Sequence, residues 1–165
     1  MHIDRYERLF LYAAVALLVV FMGALAVSSF AFGIRVPTAY EQVDPRTVAT
    51  PPSPWGLPEA ERMRELSPGR YEVYVLAQMW QFTPRTIIVP KGSQVTFYVT
   101  SRDIQHGFKI ANTNVNMMAL PGEVGVLSAT FDTPGTYNVI CHEYCGALHH
   151  TMFGQIVVEE SGAER

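Results

Sequence analysis

Charged side chains are missing from one long stretch near the N-terminus. Residues 9–34 contain no Asp, Glu, Lys or Arg, and an α-helix of that length extends about 39 Å at about 1.5 Å per residue. The hydrocarbon core of a bilayer is about 30 Å thick. The pattern therefore predicts a helix that crosses a membrane with some tilt.

A cleaved signal peptide is the competing interpretation of this stretch. Its apolar core is typically about 7–15 residues long and follows a basic start. Here the apolar run is longer, and the first eight residues carry two acidic and two basic side chains. We therefore predict a retained transmembrane anchor over residues 1–34.

Proline dominates the next segment, residues 35–69. It contains Pro37, Pro45, Pro51, Pro52, Pro54, Pro58 and Pro68. Because proline at this density opposes strand ladders and long helices, we predict a connector between the anchor and a following domain. Within it, residues 59–66 are expected to form one short helix with mixed charges on a solvated face.

From residue 71 the pattern changes to alternating apolar and polar residues, or to short apolar runs bounded by turn residues. Six segments are typical of strands: 71–79, 86–89, 94–100, 125–131, 137–140 and 155–159. Short strands at this spacing have no amphipathic helix between them. They predict an all-β, antiparallel sandwich over residues 70–165.

Composition and charge narrow the functional classes. A chain of 165 residues is long enough for one domain of ordinary size and an appendage. Its formal charge of -3 at pH 7 argues against a nucleic-acid partner, which requires a basic surface. Since no nucleophile with an adjacent base stands out, we predict no catalytic residue for bond-making chemistry in this chain.

The segment between the last two predicted strands carries the candidate chemistry. It contains both cysteines of the chain, Cys141 and Cys145, followed by His149 and Met152. Thiolate, imidazole and thioether form the ligand set that copper prefers. One copper needs one thiolate, whereas two facing thiolates can bridge a pair of copper ions, each of which then needs one imidazole. His149 can supply one imidazole, and His106, just after a strand-like run, can supply the other.

Two other uses of the cysteines have to be weighed. A disulfide is compatible with this separation in an exported domain, but it explains none of His106, His149 and Met152. Zinc accepts cysteine and histidine but not thioether, and the cysteine spacing differs from that of zinc fingers. Copper is therefore the favoured metal, and His142 and His150 are expected to be solvated or to lie outside the ligand set.

The pattern Cys-x-Glu-x-Cys-Gly-x-x-His-x-x-Met over residues 141–152, with His106 upstream, resembles the dinuclear copper (CuA) loop of subunit II of haem-copper cytochrome c oxidases. The likeness extends over the whole chain. The single apolar span and the Leu-Pro-Gly-Glu-Val run at 120–124 look most like the ba-type branch. The resemblance implies a cupredoxin-like Greek-key β-sandwich with copper at one end. It implies bridging by Cys141 and Cys145, terminal ligation by His106 and His149, and weak ligation by Met152 and the Glu143 backbone carbonyl.

The same resemblance implies a place in a respiratory chain. Subunit II takes electrons from a soluble cytochrome c, or an equivalent small donor, and passes them to haem in subunit I, where oxygen is reduced to water and protons are moved. The implied location is a bacterial or archaeal plasma membrane, crossed once, with the N-terminus in the cytoplasm and the copper domain outside. Charge does not decide this orientation, because two arginines precede the span and two follow it. In many relatives the counterpart of Glu143 holds magnesium or manganese at the boundary with subunit I, and this role stays open here.

Two departures from the family pattern affect the electron donor. Many relatives carry a dense aromatic cluster that accepts electrons, whereas residues 78–82 offer only Trp80, for which a core position is the alternative. Many relatives also carry an acidic residue before the Pro-Gly turn, whereas residues 117–120 are Met-Met-Ala-Leu. We therefore expect an apolar contact face with exposed methionines instead of acidic docking of a basic cytochrome.

Functions of other classes are also compatible with a copper loop. A membrane-tethered copper carrier or store is the alternative, although carriers usually keep an exposed, exchangeable site, and this one is closed by two thiolates between strands. A nitrous oxide reductase would need a large additional domain, for which 165 residues leave no room.

Overall fold

The computed structural model describes residues 4–31 and 39–160. Both ends of the predicted anchor (1–3 and 32–34) and the start of the predicted connector (35–38) lie outside the described residues, as do residues 161–165. The chain divides into two compact units, Met1–Val36 and Pro37–Arg165. The elements are α1 (Arg5–Phe30), β1 (Ala39–Gln42), β2 (Met63–Ser67), β3 (Arg70–Gln78), β4 (Gln81–Thr83), β5 (Thr86–Pro90), β6 (Ser93–Ser101), β7 (His106–Ile110), β8 (Asn116–Ala119), β9 (Glu123–Phe131), β10 (Gly135–Ile140) and β11 (Phe153–Glu159).

Helix α1 begins with a side-chain cap and carries no charged residue after Arg8. The Asp4 carboxylate accepts a hydrogen bond of 2.7 Å from the Tyr6 backbone N–H, which satisfies one of the unpaired amides of the first turn. The helix is long and apolar enough to cross a membrane, and none of its residues is buried. A core helix of a soluble domain would bury one apolar stripe, so this pattern fits a single-pass membrane helix.

Strands β1 to β11 form two sheets with an apolar core between them. The first sheet has the order β1-β9-β6-β3-β2, with β4 paired to β3, and the second has the order β5-β11-β10-β7-β8. In β6, Val95, Phe97 and Val99 are fully buried and the residues between them are more exposed, as expected for a strand with one face on the core. The largest core residues include Phe82, Phe97, Phe108, Phe131, Ile110 and Ile156. The predicted β-sandwich is confirmed. Five of the six predicted segments lie within a strand, and the sixth, 71–79, extends one residue beyond the end of β3.

Strand direction is the main difference from the expected sandwich. Two pairs are parallel, β3 with β6 and β5 with β11, whereas an antiparallel arrangement was expected throughout. Alternation of apolar and polar residues reports which face of a strand is buried, but it does not encode the direction of the neighbouring strand. Five strands of three to five residues, β1, β2, β4, β7 and β8, were not predicted. None of them contains a run of β-branched residues, which is the feature that predicted the equally short β5.

The proline-rich segment contains two strands, contrary to the expectation that proline would prevent ladders there. β1 pairs with β9, and β2 pairs with β3. Neither strand contains a proline, so every amide in them can donate. The short helix expected over 59–66 is instead a single 3-10 turn, Glu59–Glu61, followed by β2.

The residues between β1 and β2 cover the outer face of the first sheet. Val48 and Trp55 pack with Leu76 and Val124 in a second apolar cluster. The Trp55 indole N–H donates a 3.1 Å hydrogen bond to the Tyr98 carbonyl, as buried tryptophan usually requires. This part of the proline-rich segment therefore packs on the sandwich.

Gly154 in β11 is expected to be intolerant of a side chain. A Cβ at this position would lie 2.7 Å from the Arg85 carbonyl oxygen, at the start of the parallel pairing of β11 with β5. Because that contact is with backbone, Gly154→Ala should lower the free energy of unfolding by about 1–3 kcal/mol, the usual cost of overpacking. Thermal unfolding of the full chain measures this. Gln155→Ala, next in the same strand, should change it by less than about 0.5 kcal/mol, and equal stability of the two variants would contradict the prediction.

Candidate metal centre

The loop between β10 and β11 begins and ends on paired backbone. β10 and β11 are antiparallel up to the pair Ile140–Phe153, and the Cys141 N–H donates to the Met152 carbonyl at 3.2 Å. A 3-10 turn, His149–Thr151, closes the loop before β11. Since these bonds need no metal, the polypeptide itself holds the loop residues in place.

The two cysteine sulfurs of this loop face each other but are not bonded. Cys141 Sγ and Cys145 Sγ are 3.8 Å apart, and both residues are buried free thiols. A disulfide has a sulfur–sulfur distance of about 2.05 Å. The disulfide alternative therefore does not describe this structure.

Three further atoms that can ligate a metal lie next to the sulfurs. His149 Nδ1 lies 3.5 Å from Cys145 Sγ, and Met152 Sδ lies 3.7 Å from the same sulfur. The Cys141 thiol donates to the Glu143 backbone carbonyl at 3.2 Å. The loop thus brings imidazole, thioether and carbonyl next to the two thiols, and the Glu143 group that approaches the sulfur is its backbone.

His106 comes to the same place from the second sheet. It is the first residue of β7, where a loop position was expected, and it is 0% exposed. A ring nitrogen of His106 and the sulfurs of Cys141 and Cys145 all lie within 4.8 Å of one another. We call His106, Cys141, Cys145 and His149 the thiol–imidazole cluster.

The Nδ1 atom of His106 is buried without a hydrogen-bond partner among residues 4–31 and 39–160. Leaving a buried polar atom unsatisfied costs about 1–3 kcal/mol. A metal ion bound between this nitrogen and the sulfurs would satisfy it. The residues present therefore fit a soft metal such as copper, which takes thiolate, imidazole and thioether ligands.

Asp103 holds the other nitrogen of the His106 ring. Its Oδ1 lies 2.8 Å from His106 Nε2, and its carboxylate also accepts from the backbone N–H groups of Met79 and Ile104, each at 2.7 Å. Burial alone would raise the pKa of Asp103, but these hydrogen bonds from His106, Met79 and Ile104 outweigh it and lower the pKa. An ionised Asp103 accepts the Nε2 proton, which leaves the Nδ1 lone pair free for a metal.

Sequence reasoning missed Asp103, although it lies three residues before His106. An acidic residue between two strands is usually a turn residue, and the sequence does not distinguish that role from contact with a histidine ring.

Of the two interpretations of Trp80, an electron-entry residue or a core residue, the structure supports the core position. Its ring packs against the main core, and its indole N–H donates a 2.9 Å hydrogen bond to the Cys145 carbonyl. Gly146 makes this approach possible: its φ is 113°, and a Cβ there would lie 3.2 Å from the indole nitrogen. Trp80 is therefore a core residue that also supports the backbone of the loop.

Met117 and Met118 do not form the exposed surface that the sequence predicts. Met117 is 3% exposed and packs over Gly125, where a Cβ would lie 2.8 Å from its sulfur, and Met118 is half-buried. The apolar side chains exposed near the thiol–imidazole cluster are others. Tyr144 is 81% exposed, with its ring centroid 6.0 Å from that of His149, and Leu148 is also exposed.

The Cys145 thiol should be protonated at neutral pH in the metal-free protein. Burial, followed by the proximity of Cys141, raises the pKa of Cys145 to about 11, against about 8.5 for an ordinary cysteine. Because the folded-state pKa is raised, this thiol favours the metal-free fold below about pH 8.5, and the contribution is lost as the pH rises through about 11.

The ultraviolet absorbance of the thiolate, followed against pH in the metal-free chain, measures this titration. The Cys145→Ser curve, in which Cys141 is the one remaining thiol, is the reference for the titration of the pair. A midpoint near about 8.5 would contradict the prediction.

Comparison with known proteins places residues 66–161 in the family described as cytochrome C oxidase subunit II, periplasmic domain. A cytochrome c oxidase subunit 2 from Thermus thermophilus is 41% identical over 157 residues, which cover 94% of this chain and 92% of the relative. A chain of a heme-copper terminal oxidase dimer is similar in structure, with a TM-score of 0.73 and 36% identity over 94% of this chain and 100% of that chain.

A second structural likeness concerns the fold alone. The periplasmic domain of subunit II of the cytochrome oxidase of Bradyrhizobium japonicum has a TM-score of 0.50 and 21% identity, over 54% of this chain and 83% of that chain. The sandwich is therefore of the cupredoxin-like type.

Proposed function

Because this chain belongs to the cytochrome c oxidase subunit II family, we propose that its thiol–imidazole cluster is the dinuclear copper centre of that subunit. The chain is the copper-binding, electron-transferring subunit of a haem-copper oxidase. The observation that carries the proposal is a pair of free, buried sulfurs 3.8 Å apart, with a buried, unpartnered histidine nitrogen beside them in the described structure.

The proposed ligand roles follow the contacts. Cys141 and Cys145 bridge the two ions, since their sulfurs face each other. His106 and His149 are the terminal ligands. In support, a ring nitrogen of His106 lies near both sulfurs, and His149 Nδ1 lies 3.5 Å from Cys145 Sγ. The weak ligands are Met152, whose sulfur lies on the Cys145 side, and the Glu143 backbone carbonyl, which lies on the Cys141 side.

Copper bound here supplies one-electron redox chemistry. The chain contributes a loop whose ends are joined by backbone hydrogen bonds, so the ligands need not move when the charge of the centre changes. Asp103 holds the His106 ring, and Trp80 holds the Cys145 carbonyl. The first bond restricts the His106 ring, and the second restricts the backbone of Cys145. A site whose ligands are restricted in this way favours rapid electron transfer over binding and release of substrate.

The partners follow from this role. The immediate acceptor is haem in subunit I, where oxygen is reduced to water, and the donor is a soluble cytochrome c or an equivalent small protein. Four exposed, uncharged side chains support an apolar contact surface. Tyr144 and Leu148 lie on the loop, and Met79 and Ile104 lie next to Asp103. These four side chains take the place of Met117 and Met118, which were expected there from the sequence.

Electron transfer from the soluble donor is expected to depend only weakly on ionic strength. Screening by salt weakens contacts between exposed charges, and Met79, Ile104, Tyr144 and Leu148 carry none. Oxidation of the reduced donor by the intact oxidase, followed at increasing salt, tests this. A steep fall in rate with salt would instead indicate docking through charged residues.

The membrane arrangement is part of the same proposal. Residues 1–34 anchor the chain in a bilayer. Residues 35–69 lead from the anchor into the copper domain and contribute β1 and β2 to its first sheet, and residues 70–165 form the rest of that domain. The N-terminus lies in the cytoplasm and the copper domain on the outer side. Protease added to spheroplasts should remove the copper domain and leave the anchor. Protection of the domain from the protease would indicate the opposite orientation.

A magnesium ion at the boundary with subunit I is the remaining part of the proposal. The carboxylate of Glu143 is partly exposed, so it could supply one oxygen ligand, which is the ligand type that magnesium prefers.

Copper content and electron paramagnetic resonance test the proposal directly. The full chain in detergent, loaded with copper, should bind two ions per chain and show a multi-line signal from one electron shared by two nuclei. A single-copper signal, or exchangeable copper without rapid oxidation of a reduced cytochrome, would favour the tethered copper carrier instead.

A further inference from the structure

His142 lies directly against the backbone of Gly107. A Cβ on Gly107 would be 2.6 Å from each of three atoms of the His142 ring, Cγ, Cδ2 and Nδ1. Equal distances to neighbouring ring atoms indicate that the ring presents its face, not its edge, to the Gly107 Cα. No side chain larger than hydrogen fits between them.

Conformation does not explain the glycine at 107. Gly69, Gly92, Gly122, Gly135 and Gly146 have positive φ values, and Gly107 does not. Any residue could adopt its backbone conformation, since only the left-handed region requires glycine. The close approach of the His142 ring is the feature that excludes a side chain there.

The contact joins the two segments that carry the sulfur and imidazole ligands. Gly107 follows His106, and His142 follows Cys141. β10 pairs with β7 through Val139–Ile110 and Ile140–Lys109, and the same antiparallel register, continued by two residues, sets His142 opposite Gly107. The ring therefore bridges the two segments just past the last paired residues.

A second contact lies on the loop side of the ring. His142 Nδ1 lies 3.4 Å from Glu143 Oε1, and the backbone carbonyl of Glu143 is the group that faces Cys141 Sγ. Cys141 is 8% exposed, whereas Cys145 is 0% exposed. The sulfur nearer to solvent is thus the one whose neighbour in the chain is His142.

We propose that His142 is a positioning residue of the copper site: its ring, packed on Gly107, keeps the His106 and Cys141 segments together and keeps water from Cys141. It is not a metal ligand. This inference rests on the proposed function. It assigns a role to a histidine that the sequence pattern leaves outside the ligand set.

Two measurements on the full chain in detergent test the role. In the metal-free protein, the rate of alkylation of Cys141, resolved by peptide mapping, reports how often water and reagent reach the sulfur. In the copper-loaded protein, the reduction potential reports the polarity around the centre. Water near the site stabilises the more highly charged oxidised state, so loss of the ring should lower the potential.

His142→Ala should accelerate alkylation of Cys141 roughly tenfold, the change expected when local opening becomes easier by about 1.4 kcal/mol. It should also lower the potential. His142→Phe keeps a flat ring over Gly107 without the contact to Glu143, so it should retain wild-type values in both measurements. His150→Ala is the matched control, because His150 is an exposed histidine that follows His149 as His142 follows Cys141.

The proposal is overturned if His142→Ala matches the wild type, if His142→Phe matches His142→Ala, or if His150→Ala gives the same changes. Should His142→Ala not fold, Gly107→Ala tests the contact from its other side: its methyl group displaces the ring, and alkylation of Cys141 should again be faster. Copper content of the wild type separates the two proposals. Two ions per chain with unchanged variants reject only the role of His142, whereas one ion or none rejects the dinuclear centre.

Discussion

Cys145→Ser is expected to abolish the dinuclear centre. Cys145 is fully buried, and its sulfur contacts Cys141 Sγ at 3.8 Å, His149 Nδ1 at 3.5 Å and Met152 Sδ at 3.7 Å. It is therefore the atom common to most contacts of the site. A serine hydroxyl is a hard ligand that copper disfavours beside imidazole and thioether, and its oxygen does not reach as far as sulfur.

The expected loss is large. Changes outside the ligands already cost about 10–100-fold in metal affinity, so loss of a bridging thiolate should exceed about 100-fold on the same scale. Copper content should fall from two ions to one or none, the multi-line resonance should disappear, and oxidation of the reduced donor by the intact oxidase should stop.

His150→Ala serves as the control, since it changes an exposed residue of the same loop and should leave copper content unchanged. A multi-line signal that survived Cys145→Ser would contradict the assignment of Cys145 as a bridging ligand. It would also remove the main reason for a second thiolate in this loop.

Asp103→Ala is expected to lower copper affinity about 10–100-fold, as the loss of a residue that orients a metal-bound histidine usually does. The substitution leaves His106 Nε2 without its acceptor, so the ring can turn or change tautomer. It also leaves the backbone N–H groups of Met79 and Ile104 without partners. Isothermal titration of the metal-free chain with copper measures the affinity. Asp103→Asn retains one acceptor oxygen and should show a smaller loss, and equal affinity of Asp103→Ala and wild type would contradict the role.

The same residue should make metal-free stability depend on pH in the acid range. Hydrogen bonds lower the pKa of Asp103 against the effect of burial, so its folded-state pKa lies below the ordinary value of about 3.9. The carboxylate therefore stabilises the fold above about pH 4, and this contribution is lost as the pH falls through the lower, folded-state pKa. The difference in unfolding free energy between wild type and Asp103→Ala should shrink on acidification, and a constant difference would be the contrary result.

Several elements could be predicted because the residues that determine them are neighbours in sequence. The absence of charge over 9–34 predicts α1, and alternation over 94–100 predicts β6, in which Val95, Phe97 and Val99 face the core. The same holds for the residues at 141–152, because a loop between two paired strands brings thiols, imidazole and thioether together without help from distant segments.

Other features depend on partners far away in the chain. β1 pairs with β9 more than 80 residues later, and β3 lies parallel to β6 instead of forming a hairpin with it. Met117 is buried because Gly125 leaves space for its sulfur. None of these partners is indicated by a local pattern, so the proline-rich strands and the burial of the methionines were mispredicted.

The sequence by itself determined that this chain has an apolar helix, a β-sandwich and a loop with the ligand chemistry of copper, since composition and spacing act locally. Only the tertiary structure decided what surrounds that loop. Asp103 on His106, Trp80 on the Cys145 carbonyl and His142 on Gly107 are contacts between segments that strand pairing brings together. Pairing and packing depend on the fold of the whole domain, and for that reason the residues that position the ligands were found in the structure.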